Sequence, residues 1–188
     1  MTDAPGGRDP LDADLAELVQ AARAEEAVRS RGIERTLLHQ AAAGASVAGL
    51  LLDLAEEGAE VSIRMTSGRA HQGAVRAVGR DFAVVGPPEA QNCLVLDAIA
   101  AIRRRPGRRS PDASGDRPPA RHLSLAAYLG GLAADRPRVA IVAAGEPAML
   151  VGELRAVGRD VATVRLEGEP PVTVYVALAS VSEVFVSG

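Results

Sequence analysis

The sequence predicts a mainly β protein with helices, built as one unit used twice: a short helix followed by five short strands, then the same again. Three observations carry this expectation. First, Arg-Ala-Val-Gly-Arg-Asp occurs at residues 76–81 and again at 155–160. The likeness spreads outward, because Ser46, Ala48, Leu51, Leu54, Ala55, Val61 and Ile63 are matched at one constant offset by Ser124, Ala126, Leu129, Leu132, Ala133, Val139 and Ile141, and Gly73 is matched by Gly152. Such self-similarity signals duplication before anything else is asked of a chain. Second, the apolar period changes from helical to two at corresponding places: Val61, Ile63 and Met65 alternate with Ser62, Arg64 and Thr66, as in a half-buried strand. Third, Gly and Pro break the chain at intervals too short for anything but short strands.

The elements follow in order. Asp9-Pro10 reads as a helix start, with Asp9 as N-cap and Pro10 in the first turn. Leu11, Leu15, Leu18, Val19 and Ala22 then fall on one apolar helical face. Gly32 is expected to interrupt, with a second helical region from Ile33 to Glu57 broken near Ala43-Gly44-Ala45. Ser46 becomes the N-cap of a short helix that stops at Gly58. Strands are expected over 61–65, 72–78, 81–85, 92–96 and 98–103, with turns at Ser67-Gly68 and Gly79-Arg80 and a break at Gly86-Pro87-Pro88. Residues 103–121 are rich in Arg, Pro, Gly and Ser and read as a linker. The cycle restarts with a helix over 124–134 and strands over 139–143, on either side of Gly158-Arg159, over 172–176 and over 181–186. The expected organisation is an N-terminal helical segment (1–45), a first unit (46–105), a linker (106–122) and a second unit (123–188).

Composition bounds the function. Units of roughly 60 residues are marginal alone, so each is expected to lean on its twin, on the N-terminal helices or on another chain. Residues 1–60 hold twelve acids against five arginines, and residues 61–138 hold thirteen arginines against six acids. The absence of lysine fits Arg-biased codon usage of a GC-rich genome, which discounts arginine counts as a sign of nucleic-acid binding. Aromatics are limited to Phe82, Phe185, Tyr128 and Tyr175, so base stacking has few candidates. The single Cys93 excludes an intrachain disulfide. No signal sequence is evident at the N-terminus, and the longest apolar stretch, near Val47–Leu54, falls far short of the ~20 residues that span a membrane. A cytoplasmic location without membrane partners is expected.

A helix leading into five bent strands with this glycine spacing resembles the Sm-like family. The matching residues are Val61-Ser-Ile63, Gly68, Gly73, Asp81-Phe82, Leu94-Val-Leu96 and Ala98-Ile99 in the first unit. In the second they are Val139-Ala-Ile141, Gly145, Gly152, Asp160-Val161, Val174 to Leu178 and Val181. The first unit is most similar to the bacterial Sm-like RNA chaperone branch. The resemblance implies two tandem five-stranded small barrels (SH3-like in outline), each led by a helix. It also implies association with RNA, and assembly in which the fourth strand of one unit pairs with the fifth of the next. The family's RNA-contacting loops fall on Asp81 and Asp160 and on Val95-Leu96-Asp97 and Ala177-Leu178-Ala179. Gly73 and Gly152 are expected at strand bends, and Gly79 and Gly158 at turns with positive backbone angles.

Candidate chemistry is sparse. Asp81 and Asp160, beside Gly79-Arg80 and Gly158-Arg159, are expected to be structural turn residues that bond local backbone. Arg76 and Arg155 sit mid-strand and are expected to pair with cross-strand acids. His39, His71 and His122 lack metal-ligand spacing with Cys93; His71 is expected at the surface and Cys93 buried. No nucleophile elbow, phosphate loop, dinucleotide fingerprint or zinc motif occurs, so no catalytic residues, cofactor or metal are expected. Arg103, Arg104, Arg105, Arg108 and Arg109 are the strongest nucleic-acid candidates, since clustered cations can contact several phosphates. The competing expectation is a solvated linker that folds back on the acidic helices. Two functions are therefore carried forward: a non-catalytic RNA-associated module, and a protein-interaction or assembly scaffold that forms homo-oligomers through strand edges or the N-terminal helix.

Overall fold

The computed structural model describes residues 10–87, 91–105, 117 and 123–187. Helix α1 (Pro10–Ala43) runs through Gly32 without a break, against the expected interruption there. One helical glycine costs only about 1 kcal/mol relative to alanine, too little to end a helix whose neighbours favour it. The expected Asp9 cap lies outside the described residues. The break comes at Gly44-Ala45, and Ser46 caps α2 (Val47–Glu56) by accepting a 3.0 Å hydrogen bond from the Gly49 N–H. The two helices meet at a bend of 111°. No single described helix is long and apolar enough to cross a membrane.

Ten antiparallel strands follow: β1 (Glu60–Met65), β2 (Ala70–Val78), β3 (Phe82–Val85), β4 (Gln91–Val95), β5 (Ile99–Arg104), β6 (Arg138–Ala143), β7 (Leu150–Val157), β8 (Val161–Leu166), β9 (Thr173–Ala177) and β10 (Val181–Ser187). Helix α3 (Leu125–Leu132) leads the second five, capped by Ser124 as α2 is by Ser46. Single 3-10 turns, Leu96–Ala98 and Leu178–Ser180, separate the fourth strand from the fifth in each set. The repeat seen in the sequence is thus a repeat of elements.

All ten strands join in one open sheet, ordered β5-β1-β2-β3-β4-β10-β6-β7-β8-β9. The expectation of two closed barrels is corrected here. Within each set the order is fifth-first-second-third-fourth, and the fourth and fifth strands do not pair with each other. Instead β4 pairs with β10, aligning Leu94 with Glu183, Cys93 with Val184, Asn92 with Phe185 and Gln91 with Val186. The hydrogen-bonding edge of β4 is satisfied by the other unit, which leaves β5 and β9 as the ends of the sheet.

Bulges bend the second strand of each set. The β2–β3 register shifts between Val75 and Ala77, and the β7–β8 register between Leu154 and Ala156. Arg76 and Arg155 are therefore the extra residues of equivalent bulges. Among the described residues neither makes the expected cross-strand ion pair: Arg76 is exposed, and Arg155 bonds Glu153 on its own strand at 2.8 Å. The expected positive angles at Gly79 and Gly158 are also corrected, since neither glycine has one. Gly79 is needed for space, because a Cβ there would lie 2.4 Å from the Phe82 ring and 2.7 Å from the Leu123 carbonyl oxygen. At Gly158 the nearest atom would be 3.3 Å away.

Two apolar clusters fill the fold. One joins α2 to the first set through Leu51, Leu54, Val61, Ile63, Met65 and Leu94. The other joins α3 to the second set through Leu129, Ile141, Leu154 and Val184, and it takes in Phe82 and Cys93 from the first unit. The units therefore share a core and do not fold as separate beads. Of the expected linker, only Arg117 is described. Its guanidinium clamps Glu56 (2.7 and 3.0 Å) and Asp53 (2.7 Å) of α2, in line with a segment folding back on acidic helices. The Arg117 hydrogen bonds and charge hold the Glu56 carboxyl below its ordinary range.

Candidate functional site: the joint between the units

The joint begins with the β4–β10 ladder. Cys93 at its centre is fully buried, and burial alone pushes its thiol up to about 12, so it stays a neutral apolar group, as expected. Beside the ladder lies a group that sequence reasoning did not single out. Glu183 on β10 has no exposed surface, yet its carboxylate is held at three points by the first unit. Ser67 Oγ donates to Oε1 at 2.6 Å, Arg69 Nε donates to Oε2 at 3.1 Å, and His71 Nε2 lies 2.7 Å from Oε2. Burying a carboxylate costs several kcal/mol unless it is paired and hydrogen-bonded, and here each oxygen is. Arg69 and His71 also stack against Phe185, at 5.7 and 5.6 Å. His71 is thus part of this latch, not the surface residue its position suggested.

Asp81 corrects another expectation. Its carboxylate does not cap its own turn; Oδ1 accepts a 2.7 Å hydrogen bond from the Leu125 N–H at the start of α3, in the other unit. A carboxylate at a helix N-terminus satisfies an otherwise orphaned donor and complements the helix dipole. The neighbouring Arg80 N–H donates to the Leu123 carbonyl at 2.9 Å. Tyr128 on α3 packs its ring on Phe82 at 5.2 Å, and its hydroxyl donates to Gln91 at 2.6 Å. Burial holds the Tyr128 phenol above its ordinary value, with a smaller contribution from Cys93.

An open groove of about 590 Å³ runs along the joint, and both Gly-Arg-Asp turns reach it: its lining includes Arg80, Asp81, Asp97, Ser124, Arg159 and Asp160. Asp160 is exposed and its carboxylate has no partner among the described residues. Charges of both signs meet here, and among the described residues no three His, Cys, Asp or Glu side chains converge as metal ligands.

The arginine run is not brought to this groove. Arg103 is exposed on β5. Arg104 pairs with Glu57 at 2.5 Å and Arg105 with Glu60 at 2.8 Å. Arg108 and Arg109 lie outside the described residues, as does His122. His39 is exposed on α1.

With this geometry in hand, no family model matches the chain, and neither a curated protein nor a solved structure does.

Proposed function

We propose that the chain is a non-catalytic assembly module of two Sm-like units, which joins further copies head to tail through the open edges β9 and β5. The observation that carries this is that the joint inside the chain is made by two unlike faces, and each face recurs on the opposite unit with no described strand paired to its edge. β4 and Asp81 of the first unit meet β10 and α3 of the second. Their counterparts, β9 and Asp160 on one side and β5 and α2 on the other, end the sheet. A contact between unlike faces propagates, giving rings if it closes and filaments if it does not. An uncovered edge is a template for another strand.

The register follows from the repeat. Leu96-Asp97-Ala98-Ile99 aligns with Leu178-Ala179-Ser180-Val181, so the Cys93–Val184 pair corresponds to Tyr175 of one copy opposite Ile102 of the next. The edge hydrogen bonds agree. Leu178 donates to Asp160 and Leu166 donates to Val172, which by alternation turns the Tyr175 amide outward. Arg105 donates to Glu60, which turns the Ile102 amide outward on β5. In the same superposition Asp160 meets the N-terminus of α2 at Val47, as Asp81 meets Leu125.

Sedimentation of the full chain over a concentration series tests the proposal. Concentration-dependent growth into rings or filaments that Tyr175→Pro abolishes, with unchanged circular dichroism, is the expected result. A full chain that remains monomeric throughout would refute it. One observation favours the second reading, RNA association: the two repeated arginines, Arg80 and Arg159, line the same groove. Filter binding of single-stranded RNA across a salt series tests that reading. Retention at low salt that Arg80→Ala with Arg159→Ala removes supports it, and no retention at low salt sinks it.

A further inference from the structure

We infer that the pocket between α2 and α3 is a binding site for a small aromatic carboxylate, with the ring on Phe82 and Tyr128 and the carboxylate on Arg76. The pocket encloses about 410 Å³, within the range of about 300–1,000 Å³ that small-molecule sites occupy. Leu52 and Ala55 of α2, Leu123 and Tyr128 at α3, and Phe82 and Arg76 of the sheet line it. Phe82 is buried, and the Tyr128 ring packs on it at 5.2 Å with an angle of 32° between the planes. Two of the chain's four aromatic side chains are thus gathered at one pocket. The Tyr128 hydroxyl is committed to Gln91, so what the pair offers a ligand is ring surface.

Charge decides the class of ligand. Among the described residues Arg76 is the only charged one that lines the pocket, and it makes no ion pair there. It is the extra residue of the β2 bulge, and a bulge re-aims the side chain it carries. The repeat shows that an unpaired arginine is not the default at this place. In the second unit Arg155 occupies the equivalent bulge and bonds Glu153 at 2.8 Å, whereas Ala74 stands where Glu153 would be. The walls diverge in the same sense: Leu52, Phe82 and Val84 of the first unit correspond to Gly130, Val161 and Thr163 of the second. An apolar, aromatic-walled pocket and an arginine without a same-strand acid therefore occur together, and only in the first unit. A guanidinium presents a planar fork that matches a carboxylate at two points. Flat rings pack offset or edge-to-face on Phe and Tyr. One cation with no acid beside it calls for a single negative charge, and the ring-lined wall calls for a flat apolar body. No residue of β5 or β9 lines the pocket, so the site is independent of the strand edges.

The test is isothermal titration of the full chain with naphthoate and with naphthalenemethanol, its neutral counterpart. Naphthoate is expected to bind in the submillimolar range, about tenfold more tightly than the alcohol, as a charge-assisted hydrogen bond to one guanidinium implies. Arg76→Ala should remove that advantage and leave the alcohol unchanged. Its circular dichroism should match the parent's, because Arg76 is exposed and unpaired among the described residues. Arg155→Ala, at the same place in the second unit, should change neither ligand. Tyr128→Leu, which copies the corresponding Leu50, should weaken both. Tyr175→Pro should leave naphthoate binding as it is, so this result is read separately from head-to-tail assembly. Equal affinity for acid and alcohol, or an advantage that survives Arg76→Ala, would overturn the role of Arg76. Binding that Tyr128→Leu does not weaken would put the ligand elsewhere and overturn the site, as would no binding of naphthoate at millimolar concentration.

Discussion

The joint inside the chain and the two ends of its sheet are built from the same strands, yet they differ in four places. Cys93, at the centre of the inner edge, is fully buried, whereas its counterpart Tyr175 on β9 is 73% exposed. Glu183 on β10 anchors three side chains of the other unit, whereas Ala101 occupies its place on β5. The Asp81 carboxylate bonds the start of α3, whereas the Asp160 carboxylate has no partner among the described residues. Gly79 is crowded by the Phe82 ring and the Leu123 backbone, whereas at Gly158 a Cβ would press only on the Val161 side chain, at 3.3 Å. The two units diverge where they meet. The inner joint carries a buried polar latch, and the outer edges keep the backbone pattern without it. On the proposed assembly, this makes the contact between copies the weaker and more reversible of the two.

Substitutions can break or sharpen that contrast. The largest effect is expected from Glu183→Ala, which strands Ser67 and His71 in a buried joint. A loss of about 3 kcal/mol is expected, read by urea denaturation as one transition for both units because they share a core. Ala101→Glu, at the matching place on β5, should leave that transition nearly unmoved. Next, Gly79→Ala forces the Phe82 ring and the 123–125 backbone away, costing about 1–3 kcal/mol. Gly158→Ala should stay within about 0.5 kcal/mol of the parent. Asp81→Ala removes a charged hydrogen bond at the α3 terminus and should cost about 1 kcal/mol, while Asp160→Ala should leave the monomer's stability alone and weaken only sedimentation of the assembled form. The smallest effect at neutral pH concerns Cys93. Its folded thiol titrates at about 12, above the ordinary value of 9.0, so its contribution is fully present below the unfolded value and is lost as pH rises toward 12. A thiol reagent should therefore leave the folded chain untouched near neutrality and react fully in urea.

Much of this was legible in the sequence. The duplication, the Ser46 cap, the strand order along the chain and the buried Cys93 follow from periodicity and residue type, which are local signals. The joint was only partly legible. Glu183 sits in Val-Ser-Glu-Val-Phe, an alternating strand in which a lone acid reads as solvent-facing; its partners lie more than a hundred residues away, so no local spacing marks it. Asp81 looked like a turn cap because Asp beside Gly commonly bonds its own backbone, but the three-dimensional approach of α3 offered a better donor. Gly79 was right in identity and wrong in cause: close approach of a side chain, which sequence does not record, mimics the demand for a positive angle. The Sm-like resemblance also implied closed barrels, yet closure needs a strand of the same unit on the β4 edge, and β10 of the other unit takes that place.

Mixing two blocked chains tests the head-to-tail assembly most directly. Tyr175→Pro removes the outward amide of β9 and leaves β5 open; Ile102→Pro does the reverse. Each alone should sediment without strand-edge growth, and an equimolar mixture should give a dimer of one chain of each kind. A mixture that stays monomeric, or either variant forming the same dimer by itself, would contradict pairing of β9 with β5.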